Sequence, residues 1–263
     1  MVKVLIENGG RMMATPVRVA LAAALLLPVA AHAQAYRCAV PAAIPEPRAD
    51  LPSASQPRRI LPIGGYTLAI SWAPQYCRTA RGTASRFQCA GGNRFGFTLH
   101  GLWPDGPGKD WPQYCAATGL VPRPVIRATL CATPSPQLIQ HEWAKHGTCM
   151  PGERPASYFA RSTRAFGQLR YPNMDTLSRT RLTAGRFARE MAKANPGLSG
   201  DMMRVTATRQ GWLDEVWLCM DTRFRYRRCP AHQGGLAASA SIKIWRGGRL
   251  SSRSRGDAGR GGA

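Results

Sequence analysis

Two short segments of the 263-residue chain concentrate side chains that can move protons and hold anions. The first, FTLHGLWPDG from Phe97 to Gly106, carries His100. The second, HEWAKHGTC from His141 to Cys149, carries His141, Glu142, Lys145 and His146. Imidazole titrates near neutrality, so two histidines in opposite protonation states can share acid and base work. That set suits the cleavage of RNA by transesterification. The reaction needs a base for the 2′-OH proton, an acid for the departing 5′-oxygen, and cationic donors around the phosphorane. The 2′-OH is the internal nucleophile, so DNA is excluded as a substrate, and the chemistry calls for no metal or other cofactor.

The second segment reads as a helix. At about 100° per residue, His141, Glu142, Lys145 and His146 fall near 0°, 100°, 40° and 140°, on one face. Trp143 and Ala144 point away and are expected to pack against a sheet. An ordinary solvated face is a poor explanation for two histidines and a tryptophan. A zinc-protease helix would read H-E-x-x-H, with two histidines one turn apart. Here the spacing is H-E-x-x-x-H, the imidazoles diverge by about 140° on an ideal helix, and Lys145 stands where the second ligand would be. No metal site is expected.

The elements that must position these residues follow from patterning. YTLAISW, Tyr66 to Trp72, reads as a buried strand stopped by Ala73-Pro74, and order is expected to begin near Tyr66. RFGFTLHGLW, Arg94 to Trp103, reads as a second strand ending in the turn Trp103-Pro104-Asp105-Gly106. The catalytic helix is expected between Pro134 and Cys149, with Pro136 in its first turn and Gly147 as its stop. Further helices are predicted from Pro155 to about Leu169 and from Thr183, as N-cap, to Lys193. Strands return at Trp212 to Asp221 and Ala240 to Trp245. Strands and segregated helices imply an α+β fold: a central, mainly antiparallel sheet with helices packed around it.

The chain ends and composition place this domain. Met13 to Ala33 has the layout of a secretory signal, with either a start expected at Met12 or Met13 or a long n-region from Met1, and cleavage after Ala33 or Ala35. Its apolar run, Val19 to Ala31, falls short of the roughly 20 residues of a membrane span, so no stable membrane insertion is expected. Residues 34–59, rich in Pro, Ala and Ser, read as an extended lead-in, residues 60–246 as the catalytic domain, and residues 247–263 as a disordered basic tail. The formal charge is +22, and removing Lys3, Arg11, Arg18 and Glu7 leaves 33 basic against 13 acidic residues, or +20. A surplus of that size attracts polyanions, nucleic acid and envelope surfaces alike. Eight cysteines behind a secretion signal imply disulfides, and none forms a C-x-x-C pair. Short spacings suggest Cys77 with Cys89 and Cys219 with Cys229.

The two catalytic segments, and YTLAISWAPQYC before them, resemble the ribonuclease T2 family of secreted, largely base-non-specific ribonucleases. The resemblance runs from about Tyr66 to Phe159, and more loosely to Trp245. It implies His146 as general base, His100 as general acid, His141 as a phosphate holder, and Glu142 and Lys145 as stabilisers of the pentacovalent state. It implies Trp103 and Asp105 as base-binding residues. Trp111 is either a second stacking surface or a structural aromatic. In the family a cysteine after the first motif pairs with the one ending the second, here Cys115 with Cys149, which leaves Cys38 and Cys131. His232 lies outside both motifs and reads as a surface-loop histidine. The loop between Trp111 and His141 is short, so base preference is open.

The expected activity is endonucleolytic cleavage of single-stranded RNA to 2′,3′-cyclic phosphates and then 3′-phosphates, by a monomer, secreted or periplasmic. Its pH curve is expected to be bell-shaped below neutrality. Two alternatives stand beside it: a non-catalytic basic protein binding RNA or other polyanions, and a secreted toxin using the same chemistry on foreign RNA.

Overall fold

The computed structural model of the protein describes residues 35–90 and 92–247. The segment read as a secretion signal and all but the first residue of the expected tail lie outside them. In chain order the first elements are β1 (Ala35–Arg37), β2 (Gly65–Trp72), α1 (Ala73–Thr79), α2 (Arg86–Cys89), β3 (Arg94–Phe95) and β4 (Phe97–Asp105). Then come α3 (Arg123–Thr129), α4 (Pro136–Lys145), α5 (Pro155–Gln168), α6 (Met174–Leu177), β5 (Leu182–Thr183) and α7 (Ala184–Ala194). The chain closes with β6 (Met203–Ala207), β7 (Leu213–Met220) and β8 (Ser241–Ile242).

Four strands form the central sheet in the order β4-β2-β7-β6, each neighbouring pair antiparallel. The α+β expectation therefore holds. β2 is buried almost throughout, as a strand flanked on both edges and covered on both faces must be. Tyr66, Leu68, Ile70 and Trp72 share one core with Val216 and Leu218 of β7 and with Ile139, Tyr158, Phe166, Phe187 and Met191 of the helices. Strand alternation sends Thr67 and Ser71 of β2 and Glu215 and Trp217 of β7 to the opposite face. That face becomes the floor of the cleft described below.

Several boundaries differ from the sequence expectations, each for a local reason. Ala73-Pro74 ends β2 and also starts α1, because proline suits the first helical turn. The run Arg94–Trp103 is interrupted at Gly96. Arg94–Phe95 pairs with β1, and β4 continues through Pro104 to Asp105. β4 is an edge strand, where a proline is tolerated. Order begins upstream of Tyr66: Ala35–Arg37 pairs as a strand, and the rest of the lead-in is irregular but docked. Helices α3 and α6 and strand β6 are short elements without a strong period, and all three escaped the sequence reading.

α4 conforms more closely. Ser135 caps it by accepting a hydrogen bond from the Leu138 amide at 3.2 Å, and Pro136 occupies its first turn. Lys145 is its last residue, and His146 sits at the C-cap with φ −110°. Gly147 follows because a Cβ there would overlap the Trp143 indole. That indole packs against Tyr158 of α5, ring centroids 5.9 Å apart, within the core shared with the sheet.

Four disulfides join Cys38–Cys131, Cys77–Cys89, Cys115–Cys149 and Cys219–Cys229. No described helix is long and apolar enough to cross a membrane.

Candidate active site

The position of His100 depends on a β-bulge. In the β2–β4 ladder Ile70 pairs with Leu99 and Ala69 pairs with Gly101, so His100 is the extra residue. Without the bulge, His100 and Trp103, three residues apart, would face opposite sides of the sheet. With it, Leu99 and Leu102 both enter the core while His100, Trp103 and Asp105 share the other face. The free edge at the bulge is tied down. The Leu99 amide donates to the Ala132 carbonyl, and Thr133 Oγ1 donates to the Leu99 carbonyl, both at 2.9 Å.

Two carboxylates hold the His100 imidazole. Nδ1 donates to Glu215 Oε1 at 2.5 Å, and Nε2 lies 3.5 Å from Glu142 Oε1. Each carboxylate also holds a tryptophan: Trp217 Nε1 donates to Glu215 Oε2 at 2.8 Å, and Trp103 Nε1 to Glu142 Oε2 at 2.9 Å. Ser71 Oγ donates a further bond to Glu215, at 2.7 Å. Glu142 is buried against β4, a departure from the polar helix face expected of it. It can approach only because residue 101 is glycine, since a Cβ there would overlap its carboxylate.

Their surroundings split the histidines. Burial disfavours charge on His100, but the Glu215 hydrogen bond and the charges of Glu142 and Glu215 outweigh it and raise its pKa to about 9. His146 is the opposite case. It is buried, its Nδ1 has no partner among the described residues, and Lys145, His141 and His100 are nearby cations. Burial first, and those charges second, hold its pKa well below the ordinary histidine value. Its ring lies stacked near Trp103, centroids 5.5 Å apart. Burial raises Glu142 to about 7 despite His100, the Trp103 bond and Lys145. Burial also lowers Lys145, against Glu142 and Asp50.

The structure brings every sequence-predicted site residue to one cleft of about 410 Å³: His100, Trp103, Asp105, Trp111, His141, Glu142, Lys145 and His146. Trp111 is 43% exposed at the rim, with the Arg59 guanidinium 5.3 Å from its ring centroid. Asp105 accepts from Thr67 Oγ1 at 2.7 Å, and Thr67 accepts from Gln233 Nε2 at 2.8 Å. Burial pushes the Asp105 carboxyl up, with Thr67 and Arg227 opposing. His232 is exposed, as a surface-loop residue should be, yet its short 3-10 turn forms part of the cleft wall with Gln233 and Trp217.

One geometric expectation is corrected. His141 and His146 come together where an ideal helix would splay them: their ring centroids lie 6.3 Å apart, with His146 at the C-cap. One donor atom from each of His141, Glu142 and His146 lies within 4.8 Å of the others. The trio is close enough to share a cation, although Lys145 sits on the same side.

Sequence reasoning missed Glu215, Trp217 and Asp50. An acidic residue inside the buried run LDEVWLCM was a usable signal, because a carboxylate in a central strand needs a partner. Asp50 lies in a Pro-rich segment with no pattern to mark it. It accepts a hydrogen bond from His141 Nδ1 at 2.7 Å.

A sequence model of the ribonuclease T2 family matches residues 63–229, which hold both histidine segments and Glu215. The chain belongs to the ribonuclease T2 family. It is 29% identical over 180 residues to a probable ribonuclease of Haemophilus influenzae, covering 64% of this chain and 61% of that protein. It is 40% identical over 84 residues to a ribonuclease of Aeromonas hydrophila, covering 32% of this chain and 36% of that one. The chain thus spans less than two thirds of either relative. Trichomaglin, an S-like ribonuclease of known structure, superposes with a TM-score of 0.55 at 20% identity, covering 69% of this chain and 98% of its own. That likeness concerns the fold. Within this T2-family chain, Asp50, His232 and Gln233 lie outside the family match.

Proposed function

We propose that the protein is an endoribonuclease that cleaves single-stranded RNA by transesterification, with His146 as general base and His100 as general acid. The observation that carries this reading is the opposite electrostatic setting of the two imidazoles across one cleft: His100 held cationic between Glu142 and Glu215, His146 buried and neutral. Neutral His146 takes the proton of the ribose 2′-OH, and the 2′-oxygen attacks phosphorus. Cationic His100 protonates the departing 5′-oxygen, so the charges balance and a 2′,3′-cyclic phosphate results. Water then takes the place of the departed alcohol, with the proton roles reversed, and leaves a 3′-phosphate.

The remaining side chains have roles that fit their places. Lys145 supplies positive charge to the phosphorane, His141 holds a phosphate oxygen, and Glu142 steadies the acid and the Trp103 indole together. Trp103, Asp105 and Trp111 receive a base, with Trp217 as an added aromatic wall. Four disulfides suit an oxidising compartment and support a secreted or periplasmic location.

The test is cleavage of a short single-stranded RNA at pH 5–7 with chelator present, comparing the wild type with His146→Ala and His100→Ala. Cyclic-phosphate products that vanish in both variants support the reading. A well-folded wild type that binds RNA without cutting it points instead to a polyanion-binding protein.

A further inference from the structure

Residues 38–62 form a strap that lies ahead of the family-matched region. It is fastened by Cys38–Cys131, by Arg127 donating to the Pro41 and Ala42 carbonyls, and by paired bonds between Arg48 and the Gln137 side chain. Farther on, Arg59 exchanges backbone bonds with Gln113. Between these fastenings Asp50 reaches the site, where Oδ2 accepts from His141 Nδ1 at 2.7 Å and from the Tyr114 hydroxyl at 3.1 Å. Tyr114 is itself held in place: it adopts φ +51°, is buried, and donates its amide to the last carbonyl of α4, that of Lys145, at 2.8 Å.

We propose that Asp50 is a positioning residue for His141: it accepts the Nδ1 proton and favours the imidazolium, whose Nε2–H is then presented to a substrate phosphate. The proposal rests on the ribonuclease reading above. Its physical basis is that a carboxylate can only accept, so the shared proton belongs to His141 Nδ1, and in the imidazolium the Nε2–H is left to donate to the ligand. The strap is thus a working part of the site, supplied by a segment that the family match does not include. The charged and titratable groups around His141 are Asp50 and Tyr114 on the strap side, Glu142, Lys145 and His146 from α4 and its end, and His100 from β4. Burial first, then the charges of Lys145 and His100, lower the pKa of His141, and Asp50 opposes them by its charge and its hydrogen bond.

The experiment compares wild type, Asp50→Asn and Asp50→Ala in RNA cleavage across pH 5–8, each also in a His141→Ala background. Asp50→Asn keeps an acceptor and removes the charge. It is expected to raise KM about 10-fold near pH 7 and to leave kcat within about threefold. In the His141→Ala background either Asp50 substitution should cost nothing further. Nitrogen chemical shifts of His141 should report Nδ1–H in the wild type and a shift toward Nε2–H in Asp50→Ala. Equal losses with and without His141, or an unchanged tautomer in Asp50→Ala, would overturn the proposal. Because every arm is read against an active wild type, an inactive wild type would count against the ribonuclease reading instead.

Discussion

Glu215 Oε1 stands 2.5 Å from His100 Nδ1, although the two residues belong to β7 and β4 and the central strand β2 runs between them. The gap is bridged over Ser71 of β2, whose hydroxyl donates to the same carboxylate oxygen at 2.7 Å. The carboxylate of Glu215 stays below its usual range despite burial, because His100, Trp217 and Ser71 all donate to it. Replacing it by glutamine removes the charge and leaves a hydrogen-bonding group of similar shape. In Glu215→Gln the alkaline limb of kcat/KM should move from about pH 9 toward neutrality, while the acid limb, set by His146, stays in place. A profile with both limbs unmoved would show that Glu215 does not set the acid's pKa.

The wild-type profile should be broad. As pH falls through the lowered pKa of His146 the base becomes protonated and activity is lost. As pH rises through about 9 His100 loses its proton and the acid is lost. Between the limits lies a plateau that includes neutral pH, wider than the curve below neutrality expected from histidines alone. A profile of kcat/KM from pH 4 to 10 on a dinucleotide substrate checks both limbs.

His100→Ala and His146→Ala should each lower kcat by about 10²–10⁴. The double variant should be little worse than either single one, since acid and base act in one transition state. Chelator should leave all rates unchanged, even though His141, Glu142 and His146 bring donor atoms within 4.8 Å of one another. A loss restored by adding a divalent metal would assign that trio a metal and remove the two-histidine mechanism.

Gly101→Ala should be far more harmful than a single methyl suggests. The added carbon would overlap the Glu142 carboxylate and crowd the Trp103 indole nitrogen, and buried Glu142 has nowhere to go. We expect a destabilisation of about 1–3 kcal/mol by denaturant unfolding, with activity falling by more than the folded fraction does.

Opening Cys115–Cys149 by a double serine substitution should cost about 2–4 kcal/mol of stability. The bond ties the segment carrying Tyr114 to the end of α4, so KM should rise alongside the fall in Tm. Opening Cys77–Cys89, which closes a loop away from the cleft, should lower Tm without the KM effect.

Much of the site was legible from local chemistry. A helix with Ser135 and Pro136 at its start and Gly147 beyond its end needs only the immediate neighbours to be recognised, and it carries His141, Glu142 and Lys145 wherever it packs. The strand holding His100 and Trp103 was likewise readable from its apolar run. Less local features were not. The bulge at His100 arises from register against β2, and the sequence of β4 alone would place His100 and Trp103 on opposite faces. Glu142 looked like a residue of a polar helix face because its burial depends on Gly101 in another element.

Sequence by itself determined the side chains proposed to react, the helix that presents three of them, and the α+β class, since each rests on residue type and short-range period. Tertiary structure alone decided the protonation states, because they depend on which charges approach and how much water is excluded. It set His100 between carboxylates more than 40 and 110 residues away and left His146 buried without a partner for Nδ1 among the described residues. It also delivered Asp50 from 91 residues upstream to His141. Such long-range placements are fixed by packing and chain closure, which no local pattern encodes.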